Sequence, residues 1–255
     1  MEFKTIGHFR ELGGYATQDG RKIKSGLLYR SGELVHVSEE EQALLGSLNI
    51  DTVFDLRSAD ENKSKPDVSG NYKIISCPLA SPARDADERY KNPVSYLDKM
   101  KNCDEKRYNY MLYSFAKGYL DFAYNTETIS QIIQSLNQHK TILFHCFGGK
   151  DRTGVVSMLI MLFLGCDYET CKKDYMLHNE ITEKEFALYS GMLEKYQFSD
   201  WGKKTGVLSF KAWDFLFDCA YMSIFDLYTS IEDYLEDQFG VDQAQIDDWK
   251  DFYLE

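Results

Sequence analysis

The sequence predicts an α/β fold in which a central, mostly parallel sheet is flanked by helices. Apolar runs of strand length occur at Asp51–Leu56, Tyr72–Cys77 and Thr141–Phe144. Segments with helical character separate these runs, and alternation of strands and helices is typical of a parallel sheet. The pattern also predicts an N-terminal β-hairpin and a helical C-terminal part.

The predicted hairpin comes first along the chain. Tyr15–Thr17 and Lys22–Lys24 flank an Asp19-Gly20 turn, and Leu27–Arg30 then continues as a strand. Asp-Gly between two short extended segments is a strong hairpin signal because glycine adopts positive φ without strain.

A short helix is expected next, because Ser38 followed three residues later by Glu41 forms a capping-box pattern, with the helix reaching about Leu45. Farther along, Phe115–Leu136 is predicted to be one helix. Arg152–Leu164 is apolar nearly all round, which indicates a buried central helix.

Three or four more helices are predicted after Asp167, and their many aromatic residues are interpreted as core packing. Residues 81–107 are polar and charged and contain prolines, which fits either a lid with a short helix above a site or a solvated connection. The chain of 255 residues is therefore predicted to be a single domain, 1–255, with a lid or insertion at about 81–112.

Composition excludes several classes of protein. The formal net charge of −12 argues against a nucleic-acid binder, which needs a basic surface. Because the protein as a whole repels anions, an anionic ligand must be recognised by groups within the site itself. The six cysteines include no Cys-x2-Cys pair, so a zinc site is not expected. The prediction includes no other metal and no cofactor.

A large acidic chain whose cysteines show no disulfide-framework pattern is predicted to be a reduced, cytoplasmic protein. The opening residues MEFKTIGHFR are charged and lack the apolar segment of a secretory leader. The longest apolar stretch, Val155–Cys166, is too short to span a bilayer, so no integral membrane segment is expected. Nothing in the sequence indicates an oligomeric state.

The most informative stretch is TILFHCFGGKDRTG, from Thr141 to Gly154. Here a strand leads into Cys146, a glycine-containing loop follows, and Arg152 opens a helix. Loop amides and a helix N-terminus both bind anions, and the planar fork of an arginine matches two phosphoryl oxygens. The predicted phosphate-binding residues are Phe147, Gly148, Gly149, Lys150, Arg152 and Thr153. The pattern indicates phosphoryl transfer to cysteine, although Cys146 alone could equally be a buried structural thiol.

This stretch resembles the signature loop of the cysteine-based protein tyrosine phosphatases, and more narrowly their bacterial tyrosine and dual-specificity branch. FRELGGYATQDGRKIKSGLLYRSGEL (Phe9–Leu34) and NIDTVFDLRSADE (Asn49–Glu61) resemble the opening motifs of that branch, and DYMLHNE (Asp174–Glu180) resembles its stretch after the signature helix. His8 and Glu11 depart from it, since the family usually has Asn and Asp there.

The catalytic roles are then predicted as follows. Cys146 is the nucleophile, since a helix N-terminus and a nearby cation favour its thiolate. Arg152 grips the phosphoryl group, and Thr153 donates to the sulfur or is only a first-turn helix residue. The resemblance implies that His145 orients the loop. Lys150 is either a cation at the rim, which in this family accompanies activity on inositol phosphates, or a solvent-exposed side chain.

The general acid is the most open assignment. None of the three tryptophans is followed by Pro-Asp, so the usual mobile acid loop of tyrosine phosphatases is absent from the sequence. Asp151, next to the arginine as in myotubularin-type lipid phosphatases, is the first candidate. Asp85 and Asp87 are second candidates, and a purely structural salt bridge is the alternative for Asp151.

Asp55 and Arg57 end a strand beside the predicted site and are interpreted as an ion pair that braces the loop, with direct contact to the substrate as the alternative. Arg30 is interpreted in the same way. The predicted activity is hydrolysis of phosphotyrosine, with dual specificity open, through a phosphocysteine intermediate on a phosphorylated protein. A phosphoinositide phosphatase is the alternative enzyme, a phosphate-binding pseudophosphatase the alternative without catalysis, and a sulfur-transfer enzyme a further class that the HCxxGKDRTG context disfavours.

Overall fold

The computed structural model describes residues 3–79 and 93–255. It contains a five-stranded sheet, and the strands lie in the spatial order β1 (Arg10–Glu11), β2 (Leu28–Ser31), β5 (Ile142–His145), β3 (Thr52–Asp55) and β4 (Lys73–Ser76). Strands β1 and β2 are antiparallel, and the other pairs are parallel. The predicted α/β class with a mostly parallel sheet is confirmed.

The central strand β5 is paired on both sides, and the register brings the three middle strands to a common end. His145 lies opposite Ser31 of β2 and opposite Asp55 of β3. Ligands of open parallel sheets bind beyond the carboxyl ends of the strands. Cys146, the residue after β5, therefore emerges at the middle of that edge.

Residues of β5 alternate between the two faces of the sheet, as strand geometry requires. Ile142 and Phe144 join the larger hydrophobic core, which includes most of the helices. Leu143 faces the opposite way into a smaller cluster with Tyr29 and Val53. With apolar contacts on both faces, the strand that carries the loop is held rigidly.

Twelve helices occur among the described residues. They are α1 (Glu39–Ser47), α2 (Ala59–Ser64), α3 (Pro93–Lys101), α4 (Glu105–Phe122), α5 (Thr126–Asn137), α6 (Asp151–Phe163), α7 (Tyr168–Ile181), α8 (Glu183–Lys195), α9 (Asp200–Phe210), α10 (Asp214–Phe225), α11 (Ile231–Phe239) and α12 (Gln243–Tyr253). Every residue of α6 is buried, which confirms the predicted central helix. None of the helices in the described ranges is both long and apolar enough to cross a membrane.

Two helix predictions were wrong. The single helix predicted over Phe115–Leu136 is two helices, because the Asn125 side chain accepts a hydrogen bond from the Thr128 N–H at 3.0 Å and caps a new helix there. Six helices follow Asp167 rather than three or four. Short helices separated by polar capping residues are hard to divide by periodicity alone.

The capping pattern at Ser38 is only half formed. Ser38 accepts from the Glu41 N–H at 3.3 Å, but the Glu41 carboxylate accepts from the N–H groups of Lys4 and Thr5 instead of that of Ser38. The predicted helix begins where expected. Its glutamate, however, fastens the N-terminal segment to the domain.

The N-terminal hairpin is confirmed. Ala16 and Lys22 form an antiparallel bridge around the turn, and Gly20 has a φ of 89°. The segment at about 81–112, for which a lid or an insertion was predicted, lies partly outside the described residues. In the described part, α3 and the first turns of α4 occupy 93–112.

Candidate active site

Cys146 lies between the end of β5 and the N-terminus of α6, and its side chain is buried, with a relative exposure of 3%. Helix α6 begins at Asp151, so residues 147–150 form the turn between strand and helix. The first N–H groups of a helix lack intrahelical acceptors and carry partial positive charge. The loop therefore surrounds the thiol with features that attract an anion.

Of the two loop glycines, only Gly149 is required by the backbone. Its φ is 63°, and a Cβ there would lie 2.7 Å from the Gly32 nitrogen and 2.7 Å from the Ser31 carbonyl oxygen. An added Cβ at Gly148 would meet nothing within 4 Å. The turn therefore needs glycine at position 149 and would accept a side chain at position 148.

Arg30 fastens the loop from below. Its guanidinium is fully buried and donates to the Gly149 carbonyl at 2.8 Å and to the Asp174 carboxylate. Arg10 also donates to Asp174, at 2.9 Å. Burial and the charge of Arg10 lower the pKa of Arg30 to about 10 in spite of Asp174, so the group remains protonated at neutral pH. The structure thus gives Arg30 a bracing contact.

Arg152 at the end of the loop is held by Glu61 of α2. The guanidinium donates to both carboxylate oxygens, at 2.6 and 2.9 Å, and also to the Leu56 carbonyl at 3.3 Å. Glu61 is itself fixed by a capping box with Ser58, whose N–H it accepts at 2.8 Å. Arg152 is therefore oriented before any ligand binds.

Glu61 and Arg152 each stabilise the charged form of the other. Burial opposes the ionised form of Glu61, but hydrogen bonds from Arg152 and Ser58 and the Arg152 charge lower its pKa to about 2. Burial likewise opposes the charge of Arg152, and Glu61 and Cys146 outweigh it, so the pKa of Arg152 lies above its ordinary value. The Arg152 Nε is buried and has no hydrogen-bond partner among the described residues. An N–H so placed suits an anion held in the loop.

We expect Glu61→Gln to lower the free energy of unfolding at pH 7 by about 3 kcal/mol, because a buried guanidinium loses its ionic partner. Because the pKa of Glu61 is depressed, the stabilisation that it provides is complete above about pH 4.3, the ordinary pKa of a glutamate. This stabilisation is lost as the pH falls towards about 2, the pKa of Glu61 in the folded protein. Urea unfolding from pH 7 to pH 3 measures this. Glu236→Gln, at an exposed position of α11, is the control. If the difference in the free energy of unfolding between wild type and Glu61→Gln stays the same from pH 7 to pH 3, the Glu61–Arg152 ion pair does not contribute to stability.

A second group of charges lies behind Cys146. Arg57 forms a bidentate pair with Asp55 at 2.8 and 2.9 Å and contacts Asp67 at 2.8 Å. The His145 Nε2 lies 3.0 Å from the second oxygen of Asp67, and its Nδ1 lies 3.3 Å from the Cys146 carbonyl oxygen. Burial opposes ionisation of Asp55, yet Arg57 and His145 hold its pKa below the usual range. These contacts connect β3 to the start of the loop.

Asp55, Asp67 and His145 each place a ligand atom within 4.8 Å of the others, a spacing that could hold a metal ion. The Arg57 guanidinium already contacts both carboxylates. A positive charge at that position opposes binding of a cation. The chemistry of this donor set therefore fits an ion-pair network better than a metal site.

Asp151 and Lys150 lie at the other side of the loop. The Asp151 Oδ1 accepts a hydrogen bond from the Tyr119 hydroxyl at 2.6 Å and lies 3.5 Å from the Lys150 Nζ. Lys150 is only 4% exposed and donates to the carbonyls of Ser209 and Lys211 at 2.7 and 3.0 Å. The solvent-exposed alternative for Lys150 was therefore wrong, because the C-terminal end of α9 attracts the ammonium group away from the rim. Binding of phosphate by Lys150 stays a prediction.

The remaining predicted residues have simpler surroundings. Thr153 is fully buried, and its hydroxyl has no hydrogen-bond partner within the described ranges. Phe147 lies under Lys65, whose Nζ is 5.2 Å from the ring centroid and 3.0 Å from Glu33. Asp85 and Asp87 lie outside the described residues.

The structure adds site residues that the sequence did not identify. Glu61 could have been found from the Ser58-x-x-Glu61 capping pattern directly after β3. Asp67, Tyr119 and Tyr175 carry no comparable signal, because a buried aspartate or tyrosine looks like any polar or core residue until its partner is known. Asp174 lies inside the quoted DYMLHNE stretch, but its contact with Arg30 depends on the fold.

A strand, a loop with a thiol and an arginine, and a buried helix follow one another in this order and form the candidate active site. Comparison with known proteins agrees: a model of the tyrosine phosphatase family matches residues 1–255. The chain belongs to the tyrosine phosphatase family and is an enzyme of that class.

Two relatives match over nearly the whole chain. One is a Cupriavidus necator protein that bears the name of a tyrosine-protein phosphatase; it is 26% identical over 252 residues, which cover 96% of this chain and 86% of the relative. The other is the triple specificity protein phosphatase PtpB of Mycobacterium tuberculosis, 25% identical over 264 residues, covering 94% and 93%. A tyrosine-protein phosphatase of Nostoc commune is 25% identical over 146 residues, covering 56% of this chain and 45% of its own.

Proposed function

We propose that this protein hydrolyses phosphotyrosine in phosphorylated proteins through a phosphocysteine intermediate on Cys146. The observation that carries the proposal is the geometry around the thiol. Cys146 lies at the base of the loop, and Arg152 closes the loop with its guanidinium fixed by Glu61 at 2.6 and 2.9 Å. A nucleophile beside a preoriented anion clamp is the arrangement that phosphoryl transfer needs.

In the first step the Cys146 thiolate attacks phosphorus. The Sγ–P bond forms, the bond between phosphorus and the leaving oxygen breaks, and Asp151 gives its proton to that oxygen. Loop amides and Arg152 bind the equatorial oxygens, where charge accumulates. The tyrosine leaves as a neutral phenol.

In the second step water attacks the phosphocysteine. The Asp151 carboxylate takes one proton from the water, the new P–O bond forms, and the Sγ–P bond breaks. Thr153, whose hydroxyl is buried beside the loop, donates to the sulfur as it leaves. Inorganic phosphate and the starting thiolate result.

Phosphotyrosine is placed first among substrates because of the surroundings of Lys150. The phosphoinositide alternative depends on a free lysine that binds a second phosphate. Lys150 instead donates to the Ser209 and Lys211 carbonyls, which argues against that role. Dual specificity is supported by the similarity to a phosphatase named for triple specificity.

The test is a substrate panel of phosphotyrosine peptide, phosphoserine peptide and inositol phosphate, assayed by phosphate release. We expect kcat/KM for phosphotyrosine to exceed that for inositol phosphate by roughly tenfold or more. Lys150→Met is the matched variant. If the lysine only anchors the loop, its loss lowers all three activities alike. Faster hydrolysis of inositol phosphate, lost selectively in Lys150→Met, would establish the alternative.

A further inference from the structure

A chain of hydrogen bonds runs through the protein interior and ends on Asp151. The Trp213 backbone N–H donates to the Tyr175 hydroxyl at 3.4 Å, and the hydroxyls of Tyr175 and Tyr119 lie 2.7 Å apart. The Tyr119 hydroxyl then donates to the Asp151 Oδ1 at 2.6 Å. Both tyrosines are 1% exposed, so water does not compete for these bonds.

The direction of the chain follows from its fixed donor. A backbone N–H can only donate, so the Tyr175 oxygen accepts from Trp213 and its own proton is available to Tyr119. Tyr119 then has its proton available to Asp151. If Asp151 donated to Tyr119 and Tyr119 donated to Tyr175, the Tyr175 proton would have no acceptor within this series of hydrogen bonds. A buried hydrogen bond that is not made is costly. Hydrogen bonds aligned in this way polarise one another.

This direction decides which oxygen of the carboxyl group carries the proton. A carboxylic acid has one hydroxyl and one carbonyl oxygen, and the oxygen that accepts from Tyr119 is the carbonyl one. The acidic proton then sits on Oδ2. A general acid delivers its proton well only when the protonated oxygen and the leaving oxygen are in reach of each other.

We propose that Tyr119 is a positioning residue for the general acid, and that the Trp213–Tyr175–Tyr119 chain keeps the proton of Asp151 on Oδ2. The proposal rests on the proposed function, in which Asp151 protonates the leaving oxygen. It adds a residue on α4, outside the loop, whose effect is exerted only through Asp151.

Other charged groups also surround this carboxyl group. Lys150 is 3.5 Å from Oδ1, but its short hydrogen bonds go to two carbonyls. Arg152 and His178 also interact with Asp151 electrostatically. None of these three contacts has a hydroxyl proton directed at Oδ1, so Tyr119 is distinguished by its hydrogen bond and not by charge.

The test compares Tyr119→Phe with Tyr175→Phe on two substrates. Phenyl phosphate has a poor leaving group, and p-nitrophenyl phosphate has a good one. In Tyr119→Phe we expect kcat for phenyl phosphate to fall on the order of tenfold, and kcat for p-nitrophenyl phosphate by less than about twofold. Tyr175→Phe leaves the Tyr119 hydroxyl in place but removes the group that sets the direction of its proton, so we expect a smaller loss of the same kind, confined to phenyl phosphate. Tyr253→Phe, which removes a buried hydroxyl that donates to the Lys140 carbonyl at 2.8 Å, is the matched control and should keep both activities near those of the wild type.

The pH profile gives a second readout. A donor to Oδ1 stabilises the ionised carboxylate, so its loss should move the basic limb for phenyl phosphate to higher pH. In an Asp151→Asn background, Tyr119→Phe should have no further effect on kcat, because the residue acts through the acid. If Tyr119→Phe folds poorly, a double variant with Tyr119→Phe and Tyr175→Phe leaves neither of these two hydroxyls unpaired and allows the same measurements.

Two results would overturn the proposal. One is an equal loss for both substrates in Tyr119→Phe, and the other is a leaving-group dependence in Tyr175→Phe that does not differ from that of the wild type. Failure of the underlying function looks different. In that case Cys146→Ser retains activity, or Asp151→Asn shows no leaving-group dependence, whatever the tyrosine variants do.

Discussion

Cys146→Ser is expected to lower turnover of an aryl phosphate on the order of 10⁴-fold or more, because removal of the nucleophile prevents formation of the phosphocysteine. The loop amides and Arg152 stay in place. Tungstate, an analogue of phosphate, should therefore bind the variant with an affinity close to that for the wild type, as measured by calorimetry.

Cys219→Ser is the matched control for this variant. It makes the same change from thiol to hydroxyl on α10, at a half-buried position away from the loop, and should leave kcat unchanged. In wild type, mass spectrometry after rapid acid quench should find a phosphate on Cys146. Substantial residual turnover in Cys146→Ser would refute the covalent mechanism.

Asp151→Asn has the second-largest expected effect. An acid matters most when the leaving oxygen is basic, so hydrolysis of phenyl or alkyl phosphates should slow by about 10² or more, and that of p-nitrophenyl phosphate much less. The acidic limb of the pH–rate profile, set by the thiolate, should survive. The basic limb, set by the protonated acid, should flatten.

Asp85→Asn and Asp87→Asn are the matched controls for the acid. If Asp151 is only a structural brace for the loop, its replacement weakens tungstate binding and lowers the rate of hydrolysis of all substrates by the same factor. If either control reproduces the leaving-group dependence and Asp151→Asn does not, the acid comes from the 81–107 segment, and that segment is then a mobile lid.

The elements that the sequence predicted well are those whose signal is local. The three strands predicted at residues 51–56, 72–77 and 141–144 were found within one or two residues, because an apolar run bounded by polar residues is sufficient evidence for a strand. Two of them are buried, and the strand at 73–76 is exposed or half-buried. The helix after the loop was found because it is apolar on all sides. The helices of residues 105–137 were misjudged because one cap residue, Asn125, divides a continuous periodic pattern.

Lys150 shows why the site was only partly predictable. A lysine in a phosphate-binding loop is ordinarily expected to face the ligand or the solvent. Here the C-terminal end of α9 packs close enough to take its hydrogen bonds, and Ser209 is 59 residues away along the chain. No pattern around Lys150 carries that information.

The sequence by itself determined the loop from Cys146 to Arg152, since only five residues, 146–150, join the strand to the helix that contains Arg152, and so short a turn has little conformational freedom. Only the tertiary structure decided what holds those residues. Glu61 meets Arg152 across 91 positions, and Tyr119 meets Asp151 across 32. Such contacts arise when helices pack on the sheet, and they depend on packing distances and orientations that no local spacing of residues encodes.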